Sequence, residues 1–213
     1  MPAAKRPLGM RLLSGVIGLA LLGGALYVRG AVPDEYEQRY APLLETGKIG
    51  EPVATTRFSF KVDSVHSARV IGWDGIGGRK KAATDGVFVI IAVQASAAKE
   101  PKTLRAANLV TAGGTRFEPM DKALLAELME EQVVNAGYWT PSAYVFEVSK
   151  GADLAGAVLQ VSDDKLQPSN FAAGASVQVP GYGVEIDLGL DAAKAKRLIE
   201  QPEPGRLLPK GAS

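Results

Sequence analysis

The chain has 213 residues, a net charge of +1, one histidine and no cysteine. A charge so near zero gives no general attraction to nucleic acid, and the missing cysteines exclude disulfides and a lipid-modified cysteine. Stability must come from burial alone, for which roughly 135 residues suffice, since domains of about 100–150 residues are the commonest.

The first predicted element is a membrane span. Leu12 to Val28 (LLSGVIGLALLGGALYV) is a run of 17 residues without a charge. At ~1.5 Å per residue it extends ~26 Å, and Leu8 to Met10 bring it close to the ~30 Å hydrocarbon thickness. Lys5, Arg6 and Arg11 precede it, whereas Arg29 alone and then Asp34, Glu35 and Glu37 follow. The positive-inside bias therefore predicts residues 1–11 in the cytoplasm, a plasma-membrane signal anchor over 12–28, and the remainder outside. A cleaved signal peptide is the competing reading. It is disfavoured because its apolar core is roughly 7–15 residues long, and because Gly23 and Ala25 lie inside the run. Gly15, Gly18, Gly23 and Gly24 would weaken a helix in water but are ordinary in a span.

Residues 29–52 read as a membrane-proximal stalk. Pro33 opens a helix with Asp34 and Glu35 in its first turn, and Tyr36, Tyr40, Leu43 and Leu44 recur at helical spacing. Gly47, Gly50 and Pro52 end it. From Val53 the period becomes two: Thr56, Phe58, Phe60 and Val62 alternate with Arg57, Ser59 and Lys61, and Val65 to Ile71 continues as a second strand. Gly72 to Asp85 reads as a connection. Gly86 to Ala95 (GVFVIIAVQA) has no alternation, which predicts a central strand covered on both faces. Asn108 to Thr111 and Thr115 to Glu118 flank a Gly113-Gly114 hairpin turn. Asp121 caps a helix whose Leu124, Leu125, Leu128 and Met129 stripe is read as core. Ala143–Val148, Ala157–Val161, Ser176–Val179 and Gly183–Leu188 are further strands. A helix from Ala192 to Gln201 starts at Asp191 and stops at Pro202, and a loose tail follows. Short strands with turns between them predict a mainly β fold: an antiparallel β-sandwich over 53–190 with one or two short helices, then 191–213 as helix and tail.

Asp85-Gly86-Val87-Phe88-Val89-Ile90-Ile91-Ala92-Val93, Phe117-Glu118-Pro119 and Pro141 to Lys150 (PSAYVFEVSK) resemble a family of immunoglobulin-like domains of unassigned function. Such domains are common on lipoproteins and membrane-anchored proteins of Gram-positive bacteria. The chain reads Gln94-Ala95-Ser96 where that family usually places an asparagine, and Pro141-Ser142 where it tends to Pro-Gly. The resemblance implies an extracytoplasmic interaction or accessory module, with no catalytic residues to carry over.

The residues themselves point to no enzyme, cofactor or metal. His66 has Asp63, Ser64 and Ser67 nearby, but neighbours along one strand face opposite sides, so these residues are not expected to converge into a nucleophilic triad. With one histidine, a zinc site would need three or more carboxylates, and Asp163-Asp164 reads as a solvated turn. The stretch Gly72-Trp73-Asp74-Gly75-Ile76-Gly77-Gly78-Arg79-Lys80-Lys81 fits no nucleotide motif. Its simplest reading is a solvated loop. Its functional reading is a contact loop in which Trp73 supplies apolar area and Arg79, Lys80 and Lys81 supply charge. Tyr138-Trp139 reads either as core or as an exposed aromatic anchor. The expected function is non-enzymatic binding of another envelope or membrane protein, or of an anionic envelope polymer, at the outer face of the membrane. The alternative is an accessory subunit of a membrane complex, its span packed through Gly15, Gly18, Leu22 and Gly23. A hydrolase with an unrecognised site ranks third.

Overall fold

Apolar side chains on both faces of one long hairpin organise the rest of the chain. The computed structural model describes residues 43–75, 78–104, 106–120, 128–129, 132–163 and 182–208. In chain order these form β1 (Leu43–Lys48), β2 (Val53–Ala54), β3 (Phe58–Gly75), β4 (Gly78–Ala97), β5 (Lys102–Thr103) and β6 (Ala106–Val110). They continue as β7 (Arg116–Phe117), β8 (Val133–Val134), β9 (Thr140–Val148), β10 (Val158–Ser162), β11 (Tyr182–Asp187), the helix α1 (Ala192–Glu200) and β12 (Arg206–Leu207). Among the described residues one sheet runs β1-β11-β10-β6-β7 and a second runs β12-β3-β4-β9, with β2 on β3 and a short β5-β8 pair beside them. Pairing is antiparallel except at two sheet edges, where β1 runs parallel to β11 and β12 parallel to β3. The mainly β sandwich expected from the pattern is what the chain forms.

β4 explains why the second sheet is buried on both sides. Val87, Val89, Ile91 and Val93 join Phe60 of β3, Phe146 of β9, Leu159 of β10 and Ile186 of β11 in the core between the sheets. The intervening Phe88 and Ile90 point the other way, into a second cluster with Ile71, Trp73, Leu128 and Val145. Phe88 is 1 % exposed and Val89 0 %, as a strand covered on both faces requires. Tyr144 carries the polar atom of the main core, and its hydroxyl donates to the Leu104 carbonyl at 3.1 Å. Where β4 enters the sheet, Gly86 passes so close to β9 that a Cβ there would lie 2.3 Å from the Val148 carbonyl oxygen.

Several expectations are corrected. The two strands up to Ile71 are one strand, β3, with register shifts between Val62 and Ser64 and between Ala68 and Val70. The expected connection from Gly72 to Asp85 is instead ladder: Gly72 pairs with Lys81, Trp73 with Lys80, Asp74 with Arg79 and Gly75 with Gly78. Backbone groups that a loop would leave to solvent are paired, and Trp73 fixes the strand to the second cluster. Leu43 and Leu44 belong to β1 rather than to a stalk helix, because β11 offers a ladder over Leu43↔Tyr182 to Lys48↔Asp187. The sandwich therefore begins before Val53.

It also extends past residue 190. α1 has the expected Asp191 cap, whose carboxylate accepts from the Lys194 N–H, and it sends Ala195 and Ile199 into the main core. The expected loose tail is ordered through residue 208: Glu203 N–H donates to the Ser67 carbonyl, Arg69 N–H to that of Glu203 and Leu208 N–H to that of Gly72. An open edge of β3 is what this tail closes. The expected span at 12–28, the stalk up to residue 42, helix residues 121–127 and the strand Ser176–Val179 lie outside the described residues. Among the described residues no helix is long and apolar enough to cross a membrane.

Candidate functional site

The ribbon formed by the last rungs of β3 and the first of β4 carries the cationic residues singled out above. β9 pairs with β4 only from Val87 onward, so the ribbon from Arg79 to Asp85 runs beyond it. Arg79, Lys80 and Lys81 are all exposed. Asp74 lies 3.5 Å from Arg79, and both side chains are mostly in solvent. Trp73 does not join them as a contact residue: it is 6 % exposed and packs in the second cluster. The buried indole, directly opposite Lys80 near the tip, makes the ribbon a held element rather than an adaptable loop.

The aromatic pair is placed differently. Tyr138 is 75 % exposed and Trp139 44 %, immediately before β9. Thr140 pairs with Ala95 at the end of β4, whereas Lys81 stands near its start. Their partners on β3, Phe60 and Gly72, are 12 residues apart, roughly 40 Å along the sheet at ~3.3 Å per residue, so the two expected contact groups sit at opposite ends of the sandwich and form no common site.

A third place was only half legible. Ser64 and His66, two residues apart, share a face of β3, and Ser64 Oγ lies 3.0 Å from His66 Nε2. Ser64 thus meets His66, while Asp63 turns to Lys61 and Gln94. A carboxylate also reaches His66 from the far end of the chain, with Glu203 Oε1 3.6 Å from Nδ1. That distance is longer than a hydrogen bond, and the same oxygen accepts from Arg206 Nη1 at 2.7 Å. The carboxylate is thus engaged by the guanidinium of its own segment rather than by the imidazole. Burial, then the Arg206 charge, pull the His66 pKa below the ordinary imidazole value, and Glu203 only partly opposes them. An open cleft of about 270 Å³ lies beside it, lined also by Lys194, Arg197 and Gln201 of α1 and its end.

Asp163 departs from the expected solvated turn: its side chain is 3 % exposed. Arg57 pairs with it at 3.0 Å and Lys102 at 3.5 Å, and the Tyr182 N–H donates to its other oxygen at 3.2 Å. No local pattern marks such a network, because its members are far apart in sequence. Among the described residues no cluster of three or more histidines and carboxylates could hold a metal ion.

No family model matches the chain. No curated protein matches it either. Among solved structures it is similar to the secreted protein MPT63 of Mycobacterium tuberculosis, at 14 % identity over 68 % of this chain and 97 % of that one, with a TM-score of 0.45. It is also similar to an uncharacterised β-sandwich protein of Clostridium difficile, at 8 % identity over 68 % of this chain and 95 % of that one, with a TM-score of 0.41.

Proposed function

We propose that the protein is a non-enzymatic, membrane-anchored binding module with an immunoglobulin-like sandwich outside the plasma membrane, and that its β3–β4 ribbon contacts an anionic envelope polymer. One observation carries the site: Arg79, Lys80 and Lys81 are consecutive and exposed on a ribbon held by the buried Trp73 opposite Lys80. Consecutive strand residues alternate in direction, so the three cations line both faces and one edge of the ribbon. That suits a flexible, phosphate-rich chain better than a flat protein surface. The apolar run at 12–28 and the basic residues before it support the membrane address.

Binding of the full-length protein to a glycerol-phosphate polymer is measured in rising salt, with Arg79, Lys80 and Lys81 intact or replaced together by glutamine. The parent should lose affinity steeply as salt screens the charges, and the triple variant should bind at least about tenfold more weakly. Equal binding by the two proteins refutes the ribbon as the site.

A further inference from the structure

The end of the sandwich at which the chain enters is also the end that exposes its aromatic pair. Leu43 is opposite Tyr182 in the β1–β11 ladder, and Gly183 is opposite Ser162 on β10. Asp163, next along, pairs with Arg57, whose neighbour Phe58 is opposite Ala97 at the end of β4. Ala97 bridges to Ala136, two residues before Tyr138. Leu43, Tyr138 and Trp139 thus share one end, and the ribbon with Arg79, Lys80 and Lys81 is at the other.

From this we infer that Tyr138 and Trp139 dock on the lipid headgroup layer and hold the cationic ribbon away from the membrane. The inference rests on the membrane attachment proposed above. Residues 29–42, only 14 in number, separate the apolar run from Leu43. They span ~21 Å as a helix and at most ~50 Å fully extended, so this end of the sandwich cannot stray far from the bilayer. Indole and phenol rings have an apolar body and a polar tip, which is why they gather at membrane–water boundaries. Lys99 and Glu100, both exposed beside the end of β4, oppose each other in charge. Docking is therefore apolar in origin and insensitive to salt, unlike polymer binding at the ribbon.

The absence of cysteine makes the natural chain a ready background for single labels. Full-length protein carrying Tyr138→Cys or Lys80→Cys is spin-labelled and reconstituted in vesicles of phosphatidylethanolamine and phosphatidylglycerol. Accessibility to oxygen, which concentrates in lipid, is compared with accessibility to a water-soluble nickel chelate. The label at 138 should favour oxygen and keep that preference in high salt, while the label at 80 should favour the chelate. An aqueous label at 138, a label there shielded from both reagents (covered by protein), or lipid contact at 80 as well would each overturn the inference. Tryptophan emission gives a second readout without a label. In Trp73→Phe, brominated lipid should quench the remaining Trp139, and no quenching there counts against docking. Protein that washes off the vesicles overturns the membrane attachment and the docking with it. Protein that stays embedded with an aqueous label at 138 overturns the docking alone.

Discussion

Arg57 Nη1 lies 3.0 Å from Asp163 Oδ2, joining residues 106 positions apart across the two sheets. Replacing Asp163 by asparagine keeps an acceptor for the Tyr182 N–H but removes the carboxylate charge that Arg57 and Lys102 share. Breaking a buried pair from one side costs about 3–5 kcal/mol. Arg57 is 34 % exposed and recovers some hydration, so urea denaturation of Asp163→Asn should show a loss near the lower end, about 3 kcal/mol. Lys61→Ala, which removes the half-exposed partner of Asp63, should change stability by less than about 1 kcal/mol.

Phe88 and Val89 are neighbours in sequence that belong to different cores. Phe88→Ala should cost roughly 3–5 kcal/mol, and Val89→Ala about 2 kcal/mol. In a strand with one solvated face one of the two would be nearly silent. Equilibrium unfolding of both variants distinguishes the cases.

Trp73 and the cations beside it should separate cleanly. Trp73→Ala empties part of the second cluster and should destabilise by roughly 3–5 kcal/mol. The joint replacement of Arg79, Lys80 and Lys81 by glutamine should leave the melting temperature within about 3 °C, because exposed charges contribute little. A calorimetric scan of each variant is the check.

His66 is the chain's single histidine, so its imidazole titration is read directly by proton NMR. Its folded pKa is lowered, first by burial and then by Arg206. The folded state therefore favours the neutral ring. The associated stability is complete above the unfolded value near ~6.5, falls as pH drops through that value, and levels off below the lowered folded pKa. Glu203→Gln should lower the measured pKa further, because it removes the opposing charge. Arg206→Gln should raise it. Shifts in the same direction would contradict this account of the site.

The strands with clear period-two patterning or unbroken apolar runs were legible, β4 above all, as were the Asp191 cap and the Gly113-Gly114 turn. Neither parallel edge was legible: Leu43 and Leu44 fit helical spacing until β11 offers β1 a ladder, and the two residues of β12 have no period and pair only because β3 leaves donors and acceptors to be filled. Glycines around Trp73 suggested a loop, but ladder pairing and one buried indole outweighed their conformational freedom. Of the sites, the exposure of Arg79, Lys80 and Lys81 followed from their charge. The arrival of Glu203 and Arg206 at His66 did not, since long-range closure leaves no local pattern.

The parallel edge strands also bear on how the chain reaches its final form. β1 meets β11 about 140 residues later in the chain, and β12 returns to β3 at a comparable distance, so the slowest closures join the earliest and latest parts of the polypeptide. A chain emerging from its N-terminus leaves part of the β3 and β4 core, and the free edge of β3, uncovered until α1 and β12 have followed. Over that interval β3 is an open template for pairing with another molecule. Early termination within α1 should therefore yield aggregates rather than a slightly shortened, working domain.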